Sequence, residues 1–557
     1  MTLLRTSFKR ILIVLCFLVF HQATLAQETI VIFAINDPHS EIGNFAKIKP
    51  LIDAEKTKNQ KVYFVAGGDL FSGNPIVDYH ENKGYPMIDM LNKTGLDVSV
   101  IGNHEFDYGQ EILNDRLEQA NFPFICDNVS GGTGKLGAIP GSTIITKDNF
   151  SIAFVGVVET SSPGGFPLTH PKKIKGLSFT EGLDSFDAYK DLKATDDVDL
   201  VVALTHYGSG KDEEILENFD FVDLVIGGHN NQEYGVAHAN GYKVMSGVNL
   251  EKISKTTLTV QNKQITNFEF ELINLSDPSL TIDNTLSESI DAYFDNPTFY
   301  TNIGSSKSTI SKTSTGCFYT DALQVISDSD IVIQNRGGIR DIIYEGIITP
   351  FSIYSIDPFG NGFDTYTMTV LELRNFLNEY PSGFSYSLDA SFQVLKNENN
   401  EFIFYKDDIL LQDDNQVTLS LNDYISSVFY NLLPADPSFS FPLTTADYII
   451  EYLTNYAEQP IDYLNCNQGN YTLGNGTLMI NDFIKESIVK IYPSYIEIHS
   501  KENNFSTEIY NITGQLIYSS VNANKIDIQF LKNGIYLFKL NLKNSTQFKV
   551  LKFVKAF

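Results

Sequence analysis

Six apolar runs recur between Thr29 and Asn230, each closing on polar or glycine-rich residues: TIVIFAIND, KVYFVAGGD, LDVSVIGNHE, SIAFVGVVE, VDLVVALTHYG and VDLVIGGHN. Their apolar positions are consecutive, which predicts strands covered on both faces. Segments with helical spacing, NFAKIKPLIDAEKTKN and GYPMIDMLNKTG, lie between some of them. Covered strands separated by helices predict an α/β fold. In such folds ligands gather at the carboxyl ends of strands, and that is where the polar residues stand here. Further on, LSESIDAYFDNPTFY predicts a linking helix with acidic residues in its first turn, which suits a helix N-terminus. The stretch around SDIVIQNRGGIRD and DPFGNGFD mixes strand-like and helical pieces. From KESIVKIYPS onward the period drops to two, in YIEIHS, STEIYNITGQLIYSS, KIDIQF and GIYLFKLNLKN, with turn signals such as NITGQ and LKNG between them. That pattern predicts a small all-β sandwich. The expected organisation is a leader over 1–26, an α/β domain over 27–275, a helical linker over 276–300, a second α/β domain over 301–480 and the sandwich over 486–557.

Composition narrows the class. A chain of 557 residues exceeds what one core supports. With 43% hydrophobic and 12% aromatic residues it is globular and not disordered. A net charge of -28 argues against binding a nucleic-acid polymer, which needs Lys/Arg patches for its phosphates. A small anionic substrate stays open, because a bound divalent metal inverts the local field. At the start, Arg5, Lys9 and Arg10 precede ILIVLCFLVF and the small residues of ATLAQ. This is the build of a secretory signal cleaved after Ala26, its apolar stretch too short to span a bilayer comfortably. Cleavage leaves Cys126, Cys317 and Cys466, too few and too widely spaced for a disulfide framework. One pair is possible, and spacing does not say which.

Candidate chemistry sits at the ends of the apolar runs. They supply Asp37 and His39, then Asp69, then Asn103, His104 and Asp107, then His206, and last His229 and Asn231. A D-x-H turn or a lone histidine is weak evidence for a ligand. The same kinds of residue closing successive strands of one domain are much stronger evidence. Carboxylate, imidazole and amide oxygen together suit Zn²⁺, Mn²⁺ or Fe²⁺. The set is large enough for two ions, and a carboxylate such as Asp69 can bridge ions about 3.5–4 Å apart. Glu105 is assigned to structure and not to chemistry.

The order D-x-H, G-D, G-N-H-E-F-D, H and G-H-x-N resembles the calcineurin-like metallophosphoesterases. Together with the second domain it resembles the 5′-nucleotidase family, over most of residues 30–475. The resemblance implies a four-layer β-sandwich flanked by helices, followed by an α/β substrate domain. It also implies two divalent metal ions, Zn²⁺, Mn²⁺ or similar. Asp37, His39 and Asn231 would hold one, Asn103, His206 and His229 the other, with Asp69 bridging. Asn231 stands where most of the superfamily has histidine and where this family accepts glutamine. His104 and Asp107 match the catalytic dyad of a reaction in which water attacks phosphorus without a covalent enzyme intermediate.

In the second domain NRGGIR resembles the N-G-G-x-x-R stretch of the family, which makes Asn335 and Arg340 substrate-binding candidates. DPFGNGF and NDYISS place Phe359 and Tyr424 as the two halves of an aromatic clamp on a base. The chain also departs from the family. Ser311, with Lys312 beside it, occupies an expected arginine position, and Val428, Phe429 and Tyr430 replace G-G-D, whose aspartate would hold a ribose. YPS, IYNITGQLIYSS, LKNGIYLFKL and FKVLKFV resemble the type A sorting domain of type IX secretion. This implies export through that machinery, to the cell surface or outside. The resulting expectation is a secreted phosphoesterase acting on nucleoside 5′-phosphates or related esters. Its rivals are a 2′,3′-cyclic nucleotide phosphodiesterase/3′-nucleotidase and a surface protein that binds a ligand without turnover.

Overall fold

The computed structural model describes residues 27–463 and 487–555, apart from 60, 163, 380–383, 390, 397–400, 408, 458, 492–493, 501–504, 512–514, 533 and 543–547. The signal segment and Cys466 lie outside the described residues.

The apolar runs become the strands of two six-stranded sheets. In chain order these are β1 (Glu28–Ile35), β2 (Val62–Ala66), β3 (Val98–Val100), β4 (Phe124–Ile125), β5 (Ser142–Lys147), β6 (Phe150–Val158), β7 (Leu200–His206), β8 (Leu224–Ile226), β9 (Glu233–His238), β10 (Gly241–Ser246), β11 (Lys252–Gln261) and β12 (Gln264–Asn274). One sheet has the order β12-β11-β1-β2-β3-β4 and the other β9-β10-β8-β7-β6-β5. β1 to β4 are parallel. So are β6, β7, β8 and β10.

Successive side chains leave a strand on opposite faces, so each continuous run supplies two cores. Ile30, Ile32, Ala34, Tyr63 and Val65 of the first sheet meet Ile152, Phe154, Leu200, Val202 and Leu204 of the second. Val31, Phe33 and Ile35 turn the other way, onto Phe45, Ile48 and Ile52 of helix α1 (Phe45–Lys56). Behind the second sheet, Val155, Val201 and Ala203 pack on Ile215 and Leu216 of α2 (Ser209–Asn218). Helix, sheet, sheet and helix make the four layers.

The linking helix spans Asn284–Phe294 and begins earlier than its acidic residues suggest. Its first turn carries no acid; Asp283 is the N-cap, its side chain accepting the Leu286 N–H at 2.9 Å. A cap satisfies an orphan donor directly, so the cap sets the start.

The second domain is built on a five-stranded sheet in the order Phe384–Leu388, Ile331–Asn335, Gln416–Asn422, Gly362–Thr369, Phe439–Thr444. Helices Lys312–Ser327 and Thr445–Asn455 share a core with Val332 and Phe363. Helix Val370–Glu379 covers the other face, with Ile331, Ile333 and Leu419. The tail forms a three-stranded and a four-stranded sheet around Ile496, Ile498, Ile509, Ile526 and Phe538. Cys317 is disulfide-bonded and Cys126 is a free, buried thiol. Among the described residues no helix is long and apolar enough to cross a membrane.

Candidate active site

The candidate ligands stand just past β1, β2, β3 and β8 and at the end of β7. The backbone there is unusual. Asp37, His39, Asp69, His229 and Asn231 have φ of 48°, 45°, 54°, 76° and 57°. Asp, Asn and His tolerate this left-handed region better than other residues, but it still costs about 1–3 kcal/mol each. Such conformations persist only where surrounding structure enforces them, and they cluster at functional sites. Two glycines make room. A Cβ on Gly102 would come within 2.3 Å of Asp69 Oδ1, and one on Gly68 (φ +82°) within 2.8 Å of His206 Nδ1.

Two groups of ligating side chains converge, and both contain Asp69: Asp37 with Asp69 and His206, and His39 with Asp69 and His104. Every member is buried. His206 faces the Gly67 carbonyl through Nδ1 at 2.8 Å, which leaves Nε2 pointing inward. Nε2 is buried 3.0 Å from Asp69 Oδ2 and 3.9 Å from Asp37 Oδ1, without an aligned hydrogen bond. His39 Nδ1 is likewise buried and without a partner. Buried polar atoms are normally satisfied. His206 Nε2, orphaned beside two carboxylates, therefore fits a bound cation. His229 Nδ1 lies 3.2 Å from Asn103 Oδ1, and its ring is edge-on to His206 at 5.3 Å. Asn231 lines the same cavity as His39, Asp69 and Asn103.

Electrostatics divide the two carboxylates. Burial, opposed by His206, pushes Asp37 up to about 6. Burial also acts on Asp69, but His206 and His104 outweigh it and hold Asp69 well below the usual carboxylate range. Burial would lower His206, yet Asp69 and then Asp37 raise it to about 10. A proton on Nε2 answers the same carboxylates that a divalent ion would, so ion binding is coupled to proton release. His39 is driven well below the ordinary histidine value by burial and then by Arg340, leaving it neutral as a ligand must be.

His104 occupies the 3₁₀ turn after β3. Its Nδ1 is 2.6 Å from Asp107 Oδ2, and its backbone N–H donates to Asp69 Oδ1 at 2.9 Å. Burial opposes protonation of the ring, but Asp69 and Asp107 together raise its pKa.

Residues 30–232 match the calcineurin-like phosphoesterase family, residues 292–456 the 5′-nucleotidase C-terminal domain, and residues 490–555 a secretion system C-terminal sorting domain. The chain therefore carries a calcineurin-like phosphoesterase domain followed by a 5′-nucleotidase C-terminal domain. Its sorting domain marks it for type IX secretion, to the cell surface or beyond. It is 24% identical over 423 residues to endonuclease YhcR of Bacillus subtilis (strain 168), covering 67% of this chain and 33% of that one. The chain thus spans about a third of the length of that relative. It is 22% identical over 404 residues to a 5′-nucleotidase of Vibrio parahaemolyticus, covering 61% of this chain and 71% of the other. Its fold is similar to that of a 5′-nucleotidase precursor from Thermus thermophilus, with a TM-score of 0.65 at 18% identity over 78% of this chain and 99% of that one. The calcineurin-like metallophosphoesterases use divalent metals, and the donor set above fits them.

The 5′-nucleotidase-type C-terminal domain closes the site into a cavity of about 530 Å³. Asn335, Arg340, Phe359 and Tyr424 all line it, together with His39, Asp69, His104 and His229. Arg340 Nη2 lies 3.3 Å from His39 Nε2, so the guanidinium reaches the candidate ligands themselves. Phe359 is stacked on His104 at 5.8 Å with a 22° tilt and lies under the Arg340 guanidinium. Tyr424 packs edge-on against His170 at 6.1 Å. Asn335 Oδ1 accepts from Asn422 Nδ2 at 2.8 Å. Ser311 has a different task from the arginine it replaces: it caps helix Lys312–Ser327, accepting the Ser314 N–H. Lys312 lines an adjoining cavity of about 720 Å³ that shares Arg340 and His39.

Val428, Phe429 and Tyr430 do not line the catalytic cavity, yet a carboxylate does: that of Asp423. Asp423 Oδ1 lies 3.2 Å from His170 Nε2, and Oδ2 lies 3.2 Å from Lys172 Nζ. Burial works against its charge, but His170 and Lys172 outweigh it and hold the Asp423 pKa at about 2. His170, Lys172 and Thr169 escaped sequence reasoning because LTHPKK lies in the long excursion between β6 and β7 and not at a strand end. The one signal there was two lysines beside a histidine in an acidic chain.

Glu105, read as structural, ties two ligand loops together. Its buried carboxylate accepts the N–H groups of Asp69 at 3.1 Å, Leu70 at 2.6 Å and Gly102. Glu105→Gln puts an NH₂ among three N–H donors. A loss of about 1–3 kcal/mol is expected, the cost of leaving a buried donor unsatisfied. Urea unfolding of the metal-free variant against wild type checks it.

Proposed function

We propose that the protein is a secreted metal-dependent phosphoesterase that hydrolyses nucleoside 5′-phosphates or related phosphate esters with water as the nucleophile. The observation that carries this reading is Asp69, shared by two ligand groups, with His104 held by Asp107 against the same cavity. Following the family, Asp37, His39 and Asn231 would hold one divalent ion and Asn103, His206 and His229 a second, with Asp69 common to both; this division cuts across the side-chain groups above, which set Asp37 beside His206 and His39 beside His104. When bound, such ions acidify a water and offset the charge of the phosphoryl oxygens.

The chain supplies the rest. His104, protonated and oriented through Nδ1 by Asp107, stabilises the charge that builds on the equatorial oxygens. Arg340 offers a forked donor to the phosphate. Tyr424 would offer an aromatic face to a base, a contact that contributes about 1–3 kcal/mol, and Phe359, the other half of the expected clamp, would do so on leaving the His104 ring. Asn335, which lines the same cavity, would meet sugar or base polar groups.

The test is a substrate profile of the purified protein loaded with Mn²⁺ or Zn²⁺. Phosphate release is expected to be fastest from nucleoside 5′-monophosphates, abolished by EDTA and restored by metal. Faster turnover of 2′,3′-cyclic nucleotides would move the assignment to a cyclic phosphodiesterase. Binding without release from any ester would make it a ligand-binding protein.

A further inference from the structure

The segment Leu168–Lys173 touches three parts of the site at once. The Leu168 carbonyl accepts from Asn103 Nδ2 at 3.0 Å, which turns the amide oxygen of Asn103 toward His229. The Thr169 hydroxyl donates to Asp107 Oδ1 at 2.8 Å, and the other oxygen of that carboxylate is the one that holds His104. Thr169 is 4% exposed and Asp107 9%, so this bond is largely shielded from bulk water. The next residue faces the other domain. The Lys172 backbone N–H donates to His170 Nδ1 at 3.2 Å, which makes Nδ1 the acceptor and leaves the proton on Nε2. His170 then donates from Nε2 to Asp423 Oδ1 at 3.2 Å, and Lys172 Nζ meets Oδ2. Asp423 Oδ1 is anchored in its own domain by the Gly362 N–H at 2.8 Å. Gln110 ties down the far end of the segment through the Lys173 carbonyl at 3.0 Å.

From this chain of contacts we infer that Thr169 is a positioning residue for the His104–Asp107 dyad, and that the 168–173 segment couples dyad alignment to docking of the second domain through Asp423. The segment is short and its two functions are adjacent. When Asp423 grips His170 and Lys172, the backbone that carries Thr169 is held; when it does not, Asp107 loses the donor that fixes its plane. A carboxylate accepting on one oxygen only is free to rotate, and the His104 ring turns with it. Rate is sensitive to such misplacement, with about 10²-fold lost per ångström. The inference rests on the hydrolytic reading above.

Three single variants, Thr169→Val, Thr169→Ser and Asp423→Asn, and one double variant test it in the full-length, metal-loaded protein. Thr169→Val is expected to lower kcat by about 10–100-fold with KM for a nucleoside 5′-monophosphate changed less than about threefold. Metal content should stay at the wild-type value. Thr169→Ser, which keeps the hydroxyl, should recover most of kcat. The Thr169→Val/Asp423→Asn double variant should have a kcat no lower than that of the slower single variant, because both changes break one chain of contacts. The positioning role is overturned if the Thr169→Val loss falls in KM, or if serine behaves like valine. The coupling is overturned if the two kcat losses multiply. If the wild-type protein releases no phosphate from any ester, the hydrolytic reading fails instead, so the two failures are distinguishable. Circular dichroism and a thermal melt of each variant show whether it is folded.

Discussion

Replacing His104 with alanine is expected to lower kcat by about 10²–10³-fold, the range seen when one transition-state hydrogen-bond donor is removed. Metal content should not change. His104 shares the cavity with Asp69, but its Nδ1 is committed to Asp107 and its Nε2 is 3.8 Å from Asp69 Oδ2. The loss should therefore appear in kcat and kcat/KM alike, the signature of an interaction made in the transition state. Steady-state kinetics with a nucleoside 5′-monophosphate, beside elemental analysis of the same sample, check it. Unchanged turnover would remove His104 from the mechanism. Loss of a metal ion would show that it is a ligand, as its place in one of the two ligating groups allows.

Asp69→Asn should have a larger effect still. Asp69 is the shared member of both ligating groups and also accepts the His104 backbone N–H. An amide offers one neutral oxygen where the carboxylate offers two charged ones. Both ions should be lost together, and phosphate release should fall to background. A ligand that binds the native state stabilises it by RT ln(1 + [L]/Kd), about 2.7 kcal/mol at one hundred times Kd. Adding EDTA should thus lower the Tm of the wild-type protein and leave that of Asp69→Asn unmoved. An Asp69→Asn protein that retained a full complement of metal would overturn the shared-ligand assignment.

Much of this architecture is legible along the chain, for a physical reason. A strand covered on both faces must be apolar at consecutive positions, so TIVIFAI and VDLVVALT announce buried strands without any tertiary information. Where such a strand ends, the backbone leaves the core and polar residues return. Asp37, His39, Asp69, Asn103, His206 and His229 can be collected for that reason alone. Glu105 is separable from the chemistry, but its three N–H donors are not visible, because backbone donors from distant loops carry no side-chain signature.

The wall of the site opposite the ligands is different. Thr169, His170 and Lys172 lie in an irregular excursion with no period to mark it, and their partner Asp423 is about 250 positions away. Replacing G-G-D with Val428, Phe429 and Tyr430 removes the carboxylate expected in the substrate cavity. Folding brings Asp423 there instead. Phe359 is likewise where aromatic contact was expected, but its neighbour is the His104 ring.

The layered α/β build, the β tail and the candidate ligands at strand ends can all be read along the chain, because burial and periodicity are local properties of a sequence. Three matters cannot: which candidate ligands stand together, which carboxylate of the second domain lines the cavity, and which hydroxyl holds Asp107. They depend on distances between loops. Those distances are set by the packing of two sheets and a second domain, not by anything written in one stretch.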